Sequence, residues 1–463
     1  MADRLDVIIF GASGFTGKYC VLEGVKILEN LKWGIAGRNK EKLEKIIKET
    51  EEKTKADLSK IPIIIADIND EKSLVAMAEQ CKIIVNCCGP YRFYGEPVVK
   101  ACINAGTHHV DVSGEPQYME RMQLEYNDLA REKGVYIVSA CGFDSIPADM
   151  GTIFLEEHFD GVVNSVETYL ETWVSGGNPG GAGIHYGTWE SAVYGLAHAN
   201  ELRGIRSKLF KEKLPPMEPK LKNRSAIHRS PLVNNAYCLP FPGSDRSVVM
   251  RSQRVLYELD KKRPVQMKAY VAFRSIVEVI GVMLVGLVFG ILSRFSFGRH
   301  LLLSYPGLFS LGFISHEGPS EEKMKKTKFS ITLYAEGWSK EDKLAEPTDK
   351  YTIPTNKKMI AKVSGTNPGY GGTCVGVLVA ALTILKEHNK MPSTGGVLPT
   401  GAAFAKTNMI SELEKHENGF HFEIVQAKEQ VSTDGNFSWT ETKSSTLTYI
   451  AFHFIIYLHT ERN

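Results

Sequence analysis

No two cysteines in this 463-residue chain stand in a C-x-x-C pair. That excludes zinc ribbons and thioredoxin-like redox sites as a first reading. The eight cysteines are scattered over the whole length, as expected of an intracellular protein with reduced thiols, and no metal site is expected. The first residues, Met1 to Asp6, contain no apolar h-region, so no secretory signal is expected there. Charge is also in short supply. Lys+Arg 55 against Asp+Glu 53 leaves a net charge of +2, which gives nucleic acid no electrostatic footprint. Residues 279–293, bounded by Glu278 and Arg294, carry no charge, but this run is short of the ~20 residues of a spanning helix.

What is present is a regular alternation over residues 1–150. Apolar β-rich runs fall at 5–10, 33–36, 61–66, 83–85, 109–112 and 135–139. Stretches of helical spacing lie between them at 40–48, 71–80 and 117–133, with Leu43, Ile46 and Ile47 on one face of the first. Alternating strands and helices predict a parallel sheet covered on both faces, with right-handed crossovers.

The first turn reads Gly11-Ala12-Ser13-Gly14-Phe15-Thr16-Gly17, directly after the first strand. Gly11 can make the tight turn. Gly14 lets the backbone approach a pyrophosphate, and Gly17 lets the helix pack on the sheet. The N–H groups of that helix start would face the anion. These spacings predict a Rossmann-type dinucleotide site. The second strand ends in Arg38, with Lys40 and Lys42 behind it, where an NAD site would place an acid. A guanidinium can fork onto a 2′-phosphate, so NADP(H) is the expected cofactor. Asp67 ends the third strand, where it could hold the adenine amine or cap the helix at 71–80. Asn86-Cys87-Cys88-Gly89-Pro90-Tyr91 follows the fourth strand, with Gly89 and Pro90 fixing a turn where the nicotinamide should lie.

Together, residues 10–17, 36–39 and 86–91 resemble the saccharopine dehydrogenase-like oxidoreductases. So do Cys141-Gly-Phe-Asp144-Ser-Ile-Pro-Ala-Asp149, Asn367-Pro-Gly-Tyr-Gly-Gly-Thr373 and Gly395-Gly-Val-Leu-Pro-Thr-Gly-Ala-Ala-Phe404. The resemblance covers residues 5–425. It implies an α/β protein in which an N-terminal Rossmann domain carries an inserted α+β second domain. It also implies membrane or lipid-droplet association, and some relatives reduce enoyl groups in glycolipid synthesis.

The expected boundaries are 1–150 for the NADP-binding domain, 151–365 for the substrate or dimer domain, 366–430 for a return to the first domain, and 431–463 for a tail. Residues 164–174, 329–335 and 359–363 alternate as strands, and 372–387 reads as the returning helix. Residues 188–209 predict one helix that Thr188 could cap, while 211–245, rich in proline, reads as irregular. The 279–293 run and a second at 301–314 flank Arg294, Arg299 and His300. They are a buried helix and a loop, a shallow membrane element with its arginines at headgroups, or a true spanning helix.

Asp144 is the first candidate for catalysis, with helix capping as its alternative. True saccharopine reductases resemble this spot. Tyr91, a phenol donor beside the nicotinamide, is the second, with simple packing as its alternative. His108 and His109 read as packed or solvent-facing, and His185 as a weak substrate contact. The functional expectation is an NADP(H)-dependent reductase of a lipid-linked or acyl substrate, at a membrane or lipid-droplet surface. A cofactor-binding scaffold and saccharopine reduction in lysine metabolism stay open, as does pairing with a second copy of the chain.

Overall fold

The computed structural model describes residues 4–340 and 353–425. The first sheet opens with β1 (Leu5–Phe10), β2 (Trp33–Gly37), β3 (Ile63–Ile65), β4 (Cys81–Asn86), β5 (His108–Asp111) and β6 (Tyr136–Val138). They lie side by side in the order β6-β5-β4-β1-β2-β3, all parallel. Val7 to Phe10 and Ile83 to Asn86 are buried without alternation, as a sheet covered on both faces requires. The order reverses between β1 and β4, which opens a crevice at their carboxyl ends.

Local chemistry sets the helices between these strands. Asn39 caps Lys40–Thr54 by accepting from the Lys42 amide at 2.9 Å, and the helix buries Leu43, Ile46, Ile47 and Thr50. The cap of Glu71–Glu79 is Asp70, whose carboxylate accepts from the Lys72 amide at 3.1 Å. Asp67, three residues earlier, instead accepts from Asn69 in a local turn, so its expected capping role is corrected.

The second sheet starts with β7 (Gly161–Val174). After the two-residue β8 (Ile184–His185) come β9 (His228–Ser230), β10 (Ala236–Pro240), β11 (Gln266–Phe273), β12 (Ile314–Ser315), β13 (Thr327–Ser339) and β14 (Lys357–Thr366). The order is β14-β13-β7-β11-β10-β9, antiparallel except for the β7–β11 pair. β9 and β10 correct the reading of 211–245 as irregular over 228–240: β9 is the edge of the sheet, and β10 lies between β9 and β11 with Pro240 as its last residue. β8 and β12 pair with each other apart from both sheets.

Helix 188–209 is corrected as well. It divides into Tyr186–Ala197 and Glu201–Leu209, and the first is capped by His185, whose Nδ1 accepts from the Gly187 amide at 3.0 Å. Trp189, Val193 and Leu196 do share its buried face.

The chain then returns. Thr373–Glu387, buried along most of its length, packs on the helix Phe15–Ile27 and on β4 and β5. It belongs to a 23-residue helical stretch, Pro368–Lys390, whose apolar window is long enough to cross a membrane but is 89% buried, so it is a core helix. β15 (Gly396–Leu398) adds to β6 in parallel as the edge of the first sheet. β16 (His421–Val425) pairs antiparallel with β14, so this last strand joins the second sheet. A buried carboxylate fastens the return: Asp149 accepts from Ser252 Oγ at 2.7 Å, Thr400 Oγ1 at 2.8 Å and the Gly401 amide at 2.6 Å. The expected tail, 431–463, lies outside the described residues.

The 279–293 run is the core of the helix Ile276–Leu292. Ser275 and Glu278 form a capping box at its start. Val279, Val282, Gly286 and Phe289 are buried, while Val277, Leu284 and Leu287 are 67%, 59% and 59% exposed. The helix is therefore apolar all round but covered on one side only. At 17 residues it is about 25 Å long, short of a bilayer core of about 30 Å. Residues 301–314 continue as the helices Ser296–Ser304 and Pro306–Phe309, which leave Phe297 and Leu308 largely exposed.

Candidate functional site

The glycine turn is built for close approach. Gly11 has φ +79°, and a Cβ there would meet Cys88 Sγ at 2.6 Å. A Cβ on Gly17 would lie 2.1 Å from the Gly11 carbonyl oxygen. Gly14 is exposed at the N-cap of Phe15–Ile27, and its amide donates to the Gly11 carbonyl at 2.9 Å. Ser13 is exposed beside it. The turn is therefore tight, and Gly14 puts no side chain at the helix start, which fits the approach of a dinucleotide pyrophosphate. Arg38 is exposed just past β2, and Asp67 is half-buried just past β3, toward the adenine end of such a cofactor.

Next to the turn lies a cleft of about 330 Å³. Gly14, Phe15, Thr16, Cys87, Gly89, Tyr91 and Asp144 all line it, so seven of the residues singled out from the sequence meet there. Gly11, Ser13, Gly17, Arg38, Asp67 and Asn86 are not among its lining residues. Asn86 lies behind the wall, accepting from the Cys88 amide at 3.0 Å and contacting His109 Nε2 at 3.3 Å.

Tyr91 is buried, and its hydroxyl donates to the Asn86 carbonyl at 2.9 Å. Burial pushes its phenol well above the ordinary range. Asp144 is half-buried. It does not cap the helix Ile146–His158, since Ser145 holds the cap position without a side-chain bond. Cys87 Sγ lies 3.6 Å from Cys20 Sγ, and Cys374 Sγ donates to the Thr16 carbonyl at 3.5 Å. The Cys20 contact and burial hold the Cys87 thiol far above its usual range, and burial does the same for Cys20. These thiols act as small packing groups, not nucleophiles.

Several lining residues were not flagged by sequence reasoning. Glu115, just before the helix Pro116–Glu132, accepts from the amides of Tyr91 at 2.8 Å and Arg92 at 3.1 Å, closing the N-terminus of Tyr91–Ala105. The only local signal was an acid before a proline at a helix start. The Asn367 motif also serves the cleft. Tyr370 accepts from the His185 amide at 2.8 Å and meets Phe15 edge-on, while Thr373 Oγ1 accepts from the Phe143 amide at 3.1 Å. His185 stacks on Phe15 with centroids 4.6 Å apart, and burial lowers its pKa.

The helix Tyr186–Ala197 is the wall between the cleft and the apolar helices. Gly187, Thr188, Ser191, Ala192 and Gly195 line the cleft. On the other side Trp189 meets Phe289 edge-on at 4.8 Å and donates from Nε1 to the Leu302 carbonyl at 2.8 Å.

A parallel sheet with a glycine turn at its switch point and an adjoining cleft defines a dinucleotide-binding fold of the Rossmann type. Residues 7–138 match the model of the saccharopine dehydrogenase NADP binding domain, so the bound nucleotide is NADP(H). The chain is 41% identical over 431 residues to the human saccharopine dehydrogenase-like oxidoreductase, covering 91% of this chain and 98% of that protein. It is 37% identical over 419 residues to the Caenorhabditis elegans lipid droplet localized protein, covering 89% of this chain and 96% of that protein. The fold matches apo saccharopine dehydrogenase (L-Glu forming) from Saccharomyces cerevisiae at TM-score 0.50 and 12% identity, over 91% of this chain and 100% of that one. The chain belongs to the saccharopine dehydrogenase-like oxidoreductase family.

Proposed function

We propose that this oxidoreductase reduces a lipid-linked or acyl substrate while docked on a membrane or lipid-droplet surface. The observation that carries the proposal is the exposed apolar side of Ile276–Leu292, which shares the wall helix Tyr186–Ala197 with the cleft. A monomeric soluble protein rarely leaves so continuous an apolar face in water. With Arg294 and His300 exposed at one end, the geometry suits shallow insertion with the cations at headgroups. The name of the worm relative supports the same surface.

NADPH, when bound, supplies the hydride. In this reading the glycine turn holds its pyrophosphate, Arg38 its 2′-phosphate, Asp67 its adenine, and Asn86, Cys87 and Gly89 shape the nicotinamide end. Asp144 is the polar group offered to the substrate. Tyr91, with its hydroxyl bound to the Asn86 carbonyl, is better suited to positioning the turn than to donating a proton. None of Arg203, Arg206, Arg246, Arg251 and Arg254 lines the cleft, and Arg206 is paired with Glu120, so a carboxylate clamp for saccharopine has no support.

The test is flotation of the full-length protein with phospholipid vesicles and with triacylglycerol droplets coated by a phospholipid monolayer. The expected result is co-flotation with at least one of them. A protein that stays in the dense soluble fraction with both overturns the surface-docked reading.

A further inference from the structure

Asn86 is the hub of the turn that follows β4. Its Oδ1 accepts from the Cys88 amide at 3.0 Å, and its carbonyl accepts from the Tyr91 hydroxyl at 2.9 Å. Cys87, Gly89 and Tyr91 line the cleft, while Asn86 is buried behind them. The turn has little room to shift. An added Cβ on Gly11 would meet Cys88 Sγ at 2.6 Å and the Cys87 carbonyl carbon at 3.2 Å, so the phosphate turn stands directly against it.

On its other side Asn86 meets His109 of β5. His109 pairs in register with Ile84, two residues before Asn86 on β4, so both side chains share one face of the sheet. Asn86 Nδ2 lies 3.3 Å from His109 Nε2, and both residues are fully buried. Hydrogen-bond chemistry places the protons. The Cys88 N–H can only donate, so the Asn86 atom it meets is the oxygen, and the atom facing His109 is the amide nitrogen, a donor. Nε2 must then accept, which puts the imidazole proton on Nδ1. With the proton on Nε2, two donors would face each other away from water. Nδ1 has no hydrogen-bond partner among the described residues; Asp111 Oδ2, which accepts from Ser139 and Tyr118, is 3.9 Å away. The bond that selects the tautomer is therefore the one to Asn86. Burial pulls the imidazole down to about 3, so the ring is neutral and able to accept near neutral pH.

We infer that His109 is a positioning residue for the nicotinamide end of NADPH: its Nε2 holds the Asn86 amide, and Asn86 in turn holds Cys88 and Tyr91 at the cleft. The inference rests on the reading of residues 86–91 as the nicotinamide end and adds the residue that fixes them. His109 is not among the residues that line the cleft, so it acts through Asn86.

Two ligands test this: NADPH, and 2′-phospho-ADP-ribose, which lacks the nicotinamide. Each is titrated by calorimetry into the full-length protein near neutral pH. In His109→Leu, NADPH should bind about fivefold more weakly or worse, while 2′-phospho-ADP-ribose stays within about twofold. His109→Gln, whose side-chain oxygen can accept in place of Nε2, should restore NADPH affinity to within about twofold of the natural protein. Equal loss of both ligands in a folded His109→Leu protein, no loss of either, or failure of His109→Gln to restore NADPH binding overturns the inference. Equal affinities of the natural protein for the two ligands would instead remove residues 86–91 from the nicotinamide end, and the reading beneath the inference falls first. Should His109→Leu fail to fold, nitrogen NMR of the natural protein labelled with 15N-histidine decides without a variant. At about pH 5, below the ordinary histidine range, a neutral ring with its proton on Nδ1 is expected. Protonation of every neutral ring at Nε2 overturns the inference.

Discussion

Trp189 holds two elements at once: its indole N–H donates to the Leu302 carbonyl at 2.8 Å, and its ring meets Phe289 at an interplanar angle of 75°. Both Trp189 and Phe289 are 1% exposed. Trp189→Ala removes the packing and leaves the Leu302 carbonyl short of a donor. The expected loss is about 3–5 kcal/mol of local stability, read as a lower denaturant midpoint and faster amide exchange in Ile276–Leu292.

The outer side of that helix should be dispensable for folding. Leu284→Asp with Leu287→Asp alters two side chains that are each 59% exposed. The denaturation midpoint should stay within about 0.5 kcal/mol, while the protein leaves the floating fraction in vesicle or droplet assays. Retained flotation would place docking elsewhere.

Cofactor choice should follow one guanidinium. In Arg38→Ala, NADPH affinity should fall by about tenfold or more and NADH affinity should change little, as read by fluorescence titration. Equal NADPH and NADH affinities in the natural protein would remove Arg38 from the site.

The glycines make separable demands. A Cβ on Gly17 would lie 2.1 Å from the Gly11 carbonyl, but one on Gly14 meets it at 3.2 Å. Gly17→Ala should abolish NADPH binding by forcing the turn open, whereas Gly14→Ala should weaken it less. At Gly401 a Cβ would lie 2.5 Å from Asp149 Oδ1, so Gly401→Ala should cost about 1–3 kcal/mol without any direct contact with the cofactor.

Two neighbours at the end of β5 respond to pH in opposite senses. Burial pulls the His109 imidazole down to about 3, and pushes the Asp111 carboxyl up to about 6. The stability His109 contributes is complete above its ordinary value of 6.5 and is lost as pH falls toward 3. Asp111 contributes below its ordinary 3.8, and that contribution is lost as pH rises through 6. His109→Gln should therefore flatten or reverse the stability loss on acidification between pH 6 and 4, as measured by urea denaturation at fixed pH values. An unchanged slope would show that His109 does not dominate acid unfolding.

The sequence by itself determined what depends on neighbours along the chain. The β1 run, the Gly11 to Gly17 turn and the basic end of β2 follow one another within 40 residues, and their periods and turn residues identify a parallel sheet, a phosphate turn and a cofactor. Tertiary structure decided what depends on residues distant in sequence. Asp149 meets Thr400 and Gly401 across some 250 residues, β15 completes the sheet that β1 began, and β16 crosses to the other sheet. The same holds for the Ile276–Leu292 helix. Its sequence showed that no side was polar, but only packing against Trp189 fixed which side is covered and which is left for another surface. Periodicity records which residues avoid water; it carries no information about what shields them. For that reason the helix could be read as core or as membrane element until its partners were in place.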